Sequence, residues 1–189
     1  MIVLRVLIID NFDSFTFNLY HILNKYIHCC DVFRSDDNSL NINNYDKIII
    51  SPGPSLPSDH PLIFEILREY FDKKSILGIC LGHQAMLEYF GSRLINMDKV
   101  LHGVSSNNNI LYRDSLFKNI PEFFDIAHYH SWVVDKSSLP NFIIPTSQNI
   151  DGLLMSFRHQ NYDIAGLQFH PESILTPYGD KILKNWIDS

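Results

Sequence analysis

The segment Gly78-Ile79-Cys80-Leu81-Gly82 places a thiol midway between two glycines. It has the form G-x-S-x-G, the sharp strand-to-helix bend that exposes a nucleophile, with sulfur in place of oxygen. The spacing follows from the chemistry. A strained bend brings its flanks close together, and glycine lets the backbone make that approach. The helix that follows aims its dipole and free N–H groups at the sulfur, which favours thiolate. A lone cysteine is ordinarily a small core residue; the bend after a strand pattern makes Cys80 a nucleophile candidate instead.

A thiolate needs a base, and the base needs an orienting group. His170-Pro171-Glu172 offers both, after the apolar run Ile164–Phe169. If Phe169–Glu172 continues a strand, residues i and i+2 point to one side, and Glu172 can hold one imidazole nitrogen while the other serves Cys80. Pro171 suits a strand end, where its missing N–H costs little. Zinc is the competing chemistry, because His128, His130, Cys80 and His83 are ligand types. A structural zinc site needs four convergent ligands, and these pairs fall in separate elements with no CxxC, so no metal is expected. His128 and His130 are expected on one face of a strand near the reactive centre. His21, His28, His60 and His159 read as surface or capping residues.

The elements that must position these groups come from hydrophobic periodicity. Val3–Asp10 is a continuous apolar run of the kind a strand buried on both faces shows. Asp13 or Ser14 can cap a helix carrying Phe15, Leu19, Ile22, Leu23 and Tyr26. Cys29–Arg34 and Asp46–Ser51 read as strands, and Pro61 opens a helix through Phe71. Ser75–Ile79 is a fourth strand, and His83–Phe90 a helix ending at Gly91. The second half is strand-rich: Asp125–His130, Phe142–Ser147, Leu153–His159 and Ile164–Phe169, with a helix at Tyr178–Ile187. Asn107-Asn108-Asn109 reads as a polar loop.

Alternating strands and helices imply right-handed crossovers and a parallel sheet. The expected fold class is α/β: an open, mostly parallel twisted sheet with helices on both faces and an antiparallel extension, as a single domain over 1–189. Ligands in such sheets bind beyond the carboxyl ends of the strands. The loops after Asp10 and Ser51 and the turn at Cys80 all sit there.

The chain has 189 residues, and 46% of them are hydrophobic. That length fits one domain with a real core, and the hydrophobicity excludes disorder. Fifteen Lys plus Arg against twenty-one Asp plus Glu give a net charge of −6. With no basic stripe, this argues against a nucleic-acid partner. No run approaches the roughly 18 apolar residues of a membrane span, and the N-terminal apolar run is too short for a signal peptide. Three cysteines, two of them adjacent, make no disulfide framework and point to a reducing cytoplasm.

With these residues in place, the sequence resembles the class I, triad-type glutamine amidotransferases. GICLGHQ around Cys80 and GLQFHPES around His170 and Glu172 carry the likeness. Asp10–Thr16 (DNFDSFT), SPGP at Ser51–Pro54, His102-Gly103, Tyr129–Ser131 and ESILT at Glu172–Thr176 resemble the branch of glutaminase subunits of anthranilate synthase and aminodeoxychorismate synthase. The likeness spans about residues 3 to 187.

The resemblance implies these roles. Cys80 attacks the side-chain amide of L-glutamine, His170 handles the proton, and Glu172 orients His170. Backbone N–H groups of Gly53 and Leu81 form the oxyanion hole; Gly53, in a loop at a strand end, has an N–H free for a ligand. Gly53, Pro54, Ser55, Gln84, Ser131 and Trp132 bind glutamine, the last two as a strand-end pair receiving its amino-acid group. Gln84 could instead be a polar residue satisfying a helix end. Three positions depart from the family pattern: Ser55 stands where many members have glycine, Val104 where many have lysine, and Trp132 where leucine is frequent. The resemblance further implies a chorismate-binding synthase partner, with Mg2+ expected only in that partner and no cofactor here. Anthranilate is the expected product, with aminodeoxychorismate, or service to both synthases, the alternative. A free γ-glutamyl hydrolase and a silent scaffold are remoter readings; the DNFDSFT and ESILT motifs oppose the first, and an intact triad opposes the second.

Overall fold

A computed structural model describes residues 3–37 and 39–189. Among them one sheet of nine strands organises the chain, in the order β2-β1-β3-β4-β9-β8-β7-β5-β6. The first five in that order are β2 (Cys29–Arg34), β1 (Arg5–Asp10), β3 (Lys47–Ile50), β4 (Ser75–Ile79) and β9 (Ile164–Leu167), all mutually parallel. The rest, β8 (Leu154–His159), β7 (Ile143–Asn149), β5 (Leu94–Ile110) and β6 (Phe123–Val134), continue the sheet antiparallel. The expected parallel core and antiparallel extension are both present.

The apolar runs that read as strands buried on both faces behave that way. Along β1, Val6 and Ile8 enter one core, while Leu7 and Ile9 enter the other. The first core lies under α1 (Thr16–Leu23) and α4 (Gly179–Asp188), through Leu19, Leu23, Ile182, Leu183 and Trp186. The second lies under α2 (Pro61–Tyr70) and α3 (Leu81–Tyr89), through Ile63, Ile66, Leu67, Ala85, Met86 and Leu87. Fully burying each Leu, Ile or Met among them contributes about 1.5–3 kcal/mol, so helix-covered faces clamp β4 and β9 at the centre.

Several boundaries differ from the sequence reading. The helix expected near Asp13 starts at Thr16 and ends at Leu23, leaving Phe15 and Tyr26 exposed. Neither Asp13 nor Ser14 caps it: its N-cap is Phe15, and the Asp13 carboxylate accepts the Phe15 N–H at 2.7 Å just ahead of the helix. Asn107–Asn109 are not a loop but part of β5, which pairs with β6 along most of its length. β5 pairs with β7 only at Asn108–Ile110, so much of it is an exposed two-stranded ribbon. The helix over α4 and the remaining strands fall within a few residues of their expected limits.

Candidate active site

Cys80 sits between β4 and α3 with φ +50° and ψ −99°, in the left-handed half of conformational space that a cysteine rarely adopts. Its N–H donates to the Leu167 carbonyl at 2.7 Å, which ties the bend to β9. The glycines are required by close approach. A Cβ on Gly78 would meet Met86 Sδ at 2.3 Å and the Gly82 carbonyl carbon at 2.6 Å; one on Gly82 would meet the Ile50 carbonyl oxygen at 2.4 Å. The strain therefore has a structural function: it packs the helix start against β3 and leaves the thiol at the carboxyl end of the sheet.

His170 Nδ1 donates to Glu172 Oε1 at 2.6 Å, and both residues are buried, at 2% and 7% exposure. The i, i+2 contact expected from a strand is made by a turn instead, because β9 ends at Leu167. That turn is anchored to β6. The His170 N–H donates to the Ala127 carbonyl at 3.2 Å, Thr176 Oγ1 donates to the His170 carbonyl at 2.7 Å, and the Ala127 N–H donates to Thr176 Oγ1 at 3.0 Å. Thr176, from the ESILT segment, is thus a support that spacing alone did not reveal. Burial works against a charge on His170, but the Glu172 carboxylate and the Cys80 sulfur outweigh it and hold the imidazole well above its ordinary value. Its Nε2 has no protein partner among the described residues and is left for the reacting groups.

Two adjoining cavities meet at the sulfur. One, of about 160 Å³, is lined by Gly53, Pro54, Ser55, Cys80, Leu81, Gln84, Tyr129, His130, Ser131 and Trp132. The other, of about 240 Å³, carries His170 and opens past Phe12, Asp13, Phe15, His102 and Tyr129. Every residue expected to touch the thiol, its partner acid–base pair or the substrate borders these cavities except Glu172, which stands behind His170. The Leu81 N–H is the first of α3 and has no intrahelical acceptor. The two loops facing it are fastened together: the Asn11 N–H donates to Ser51 Oγ at 2.9 Å, Asn11 Nδ2 donates to the Ser51 carbonyl at 3.1 Å, and Gly53 packs so tightly on Asn11 that a Cβ would lie 2.7 Å from its carbonyl oxygen.

A strained thiol at a helix start, the first N–H of that helix and a buried His–Glu pair gathered at one site suit acyl transfer. The description "Glutamine amidotransferase class-I" matches residues 7–189 of this sequence. The chain belongs to the class I glutamine amidotransferases. It is 37% identical over 190 residues to "Anthranilate synthase component 2" of Pyropia yezoensis, covering 97% of this chain and 98% of that one. It is 36% identical over 190 residues to "Aminodeoxychorismate synthase component 2" of Escherichia coli, covering 96% and 98%. A solved glutamine amidotransferase of Thermotoga maritima shares the fold with a TM-score of 0.73 at 18% identity, covering 100% of this chain and 82% of that one.

Within this amidotransferase, several residues occupy places other than those expected. Ser131 and Trp132 lie inside β6 rather than at its end, since the strand continues to Val134. Gln84 satisfies no helix end; its Nε2 donates to the Trp132 carbonyl at 2.8 Å and to Gln168 Oε1 at 3.1 Å. Ser55 has φ +67°, which accounts physically for the glycine common at that position. Val104 is exposed on β5. Of the histidines expected at the surface or as caps, His60 and His159 are buried yet do cap: His60 is the N-cap of α2, and His159 closes the turn that follows it. His60 Nε2 donates to the Pro54 carbonyl at 2.9 Å, and His159 Nδ1 accepts the Asn161 and Tyr162 N–H groups at 3.1 and 3.2 Å.

His128 and His130 do share a face of β6, with Nδ1 of the first 3.0 Å from Nε2 of the second, and His130 borders the cavity. Burial pushes them down to about 4 and about 3, and pushes the enclosed His83 down to about 3, so all three are neutral. No sequence pattern marks Gln168, which lies fully buried beside Cys80. Among the described residues no group of three or more His, Cys, Asp or Glu side chains could hold a metal, and no helix is long and apolar enough to cross a membrane.

Proposed function

We propose that this protein hydrolyses the side-chain amide of glutamine through Cys80, His170 and Glu172, and delivers ammonia to a chorismate-binding synthase subunit that makes anthranilate. The carrying observation is that His170, backed by Glu172 at 2.6 Å, lines the same cavity as a strained thiol at a helix N-terminus. In this reading Cys80 Sγ forms a bond to the amide carbon, and the carbonyl electron pair moves onto oxygen. The N–H groups of Gly53 and Leu81 receive that oxyanion; removing one such donor costs about 10²–10³ in rate. The intermediate collapses as the C–N bond breaks, and His170 Nε2 supplies the proton that releases ammonia. Neutral His170 then takes a proton from water, hydroxide displaces the thioester sulfur, and glutamate leaves. Glu172 keeps Nδ1 protonated throughout, so that Nε2 is the nitrogen that exchanges protons.

Gly53, Pro54, Ser55, Gln84, Ser131 and Trp132 would hold the glutamine, since all border the cavity next to Cys80. In this reading the chain needs no cofactor of its own, and Mg2+ belongs to the chorismate-binding partner. Ammonia in water is mostly protonated and no nucleophile, so the product needs an enclosed route. The cavity mouth carries the exposed rings of Phe12 and Phe15 (46% and 38% exposed), an apolar rim that a partner subunit could cover. The Escherichia coli relative supports a second reading, in which the same glutaminase serves an aminodeoxychorismate synthase. The test is glutamine hydrolysis with and without the purified synthase subunits, with product identification. A large rise on mixing supports the subunit role; equal activity alone and mixed refutes it. The product, anthranilate or aminodeoxychorismate, decides between the two synthases.

A further inference from the structure

We propose that Gln168 is the hydrogen-bond donor that steadies the Cys80 sulfur, and that its amide is held in the donating orientation by a relay running from the Trp132 carbonyl through Gln84. The inference rests on Cys80 being the nucleophile. The Trp132 carbonyl oxygen can only accept, so the Gln84 atom 2.8 Å away is the amide nitrogen. That nitrogen has two N–H groups, and the second points to the Gln168 side chain at 3.1 Å. The nearer Gln168 atom must therefore be its oxygen. Its own Nε2 is then directed to Cys80 Sγ, at 3.7 Å, a normal length for a donor to sulfur.

Each link fixes the next, and none can swing away. Gln168 is fully buried, and its backbone N–H is held by the Met155 carbonyl at 2.8 Å. Gln84 is buried to 4% exposure at the start of α3, beside the sulfur. An N–H aimed at sulfur favours thiolate over thiol, because the charged acceptor makes the stronger bond. This donor is independent of His170, which approaches from the turn after β9. The relay has a second consequence. With both its N–H groups committed, Gln84 offers the cavity only its Oε1, an acceptor. It would select a substrate bearing an N–H donor, such as an ammonium or an unsubstituted amide, and filling that acceptor would tighten the same chain that ends at the sulfur.

The test is the pH dependence of alkylation by iodoacetamide, with the modified cysteine located by mass mapping, in the full-length wild type, Gln168→Met and Gln84→Leu. Methionine keeps the volume of Gln168 without its donor. Gln168→Met is expected to move the alkylation midpoint of Cys80 upward by about one pH unit, or about tenfold in rate below the midpoint, the size of a lost hydrogen bond to a charged group. Gln84→Leu, which frees the Gln168 amide to turn, is expected to shift it the same way by less. A packing role alone would lower the melting temperature and leave the midpoint in place. An unshifted midpoint in Gln168→Met overturns the proposal. Should that variant not fold, an unshifted midpoint in Gln84→Leu overturns it equally. Alkylation that falls on Cys29 or Cys30 instead removes Cys80 as nucleophile and this inference with it, whereas modification of Cys80 with an unmoved profile removes the relay alone.

Discussion

Glu172→Gln isolates the charge of the acid from its shape. The carboxylate lies 2.6 Å from His170 Nδ1, and both groups are buried. Glutamine can still present an oxygen to Nδ1–H, so the ring orientation survives and only the charge is lost. With the charge centres about 4 Å apart and an effective dielectric near 20, the lost attraction is about 4 kcal/mol. At 1.36 kcal/mol per tenfold, that lowers the proton affinity of His170 by up to about 10³. His170 sits well above its ordinary value because Glu172 and Cys80 together outweigh burial, so the imidazolium should deprotonate at lower pH in the variant. The assay is glutamine hydrolysis against pH, with the synthase partner present. The expected result is a 10²–10³-fold fall in kcat/KM (about the size of that lost attraction), little change in KM, and an alkaline limb moved to lower pH. Ammonia-dependent synthesis by the partner should persist. A loss below about fivefold with an unmoved alkaline limb would show that Glu172 does not support the charge on His170.

Gly82→Ala should cost at least about 1–3 kcal/mol and lower soluble yield, because its Cβ would press on the Ile50 carbonyl at 2.4 Å and a backbone atom cannot yield; an unchanged melting temperature would count against the close-packed bend. Ser55→Gly should relieve the left-handed strain at φ +67°, raising stability by about 1 kcal/mol and the melting temperature by about 2–4 °C; a fall would refute the strain argument. Iodoacetamide at neutral pH should spare Cys30, whose thiol is pushed up to about 12, first by burial and then by Asp31; mass mapping checks this. Stability in urea should decline as pH falls from about 6.5 toward 4. His83, His128 and His130 are neutral when folded, at about 3, 4 and 3, and take up protons on unfolding, so the unfolded chain binds more protons in that window. A flat urea midpoint across it would contradict their burial.

The reactive bend and the His–Glu pair were legible because each is a local pattern: two glycines around a thiol, and an acid two residues past a histidine. The parallel core was legible for a similar reason, since Val6–Ile9 and Ile48–Ile50 are apolar on both faces. What failed depended on partners distant in sequence. β5 carries Asn107–Asn109 in strand conformation because β6 supplies its hydrogen bonds, and an exposed ribbon needs no alternation of apolar residues. Gln168 gave no signal because its meaning comes from Gln84 and Cys80, the latter 88 residues away. The turn holding His170 reads as strand because the run Ile164–Phe169 stays buried past the last ladder bond, while its anchor is Ala127 on β6.

Strand β9 lies against β4 in the sheet but follows it by more than eighty residues in the chain. Synthesis from the amino end therefore makes the sulfur long before the imidazole that serves it. Until the later segment slots in beside it, the Cys80 N–H lacks its Leu167 acceptor, and nothing yet poises the thiol for attack. In a growing chain the bend at Cys80 therefore gains this anchor only once the middle of the sheet is complete.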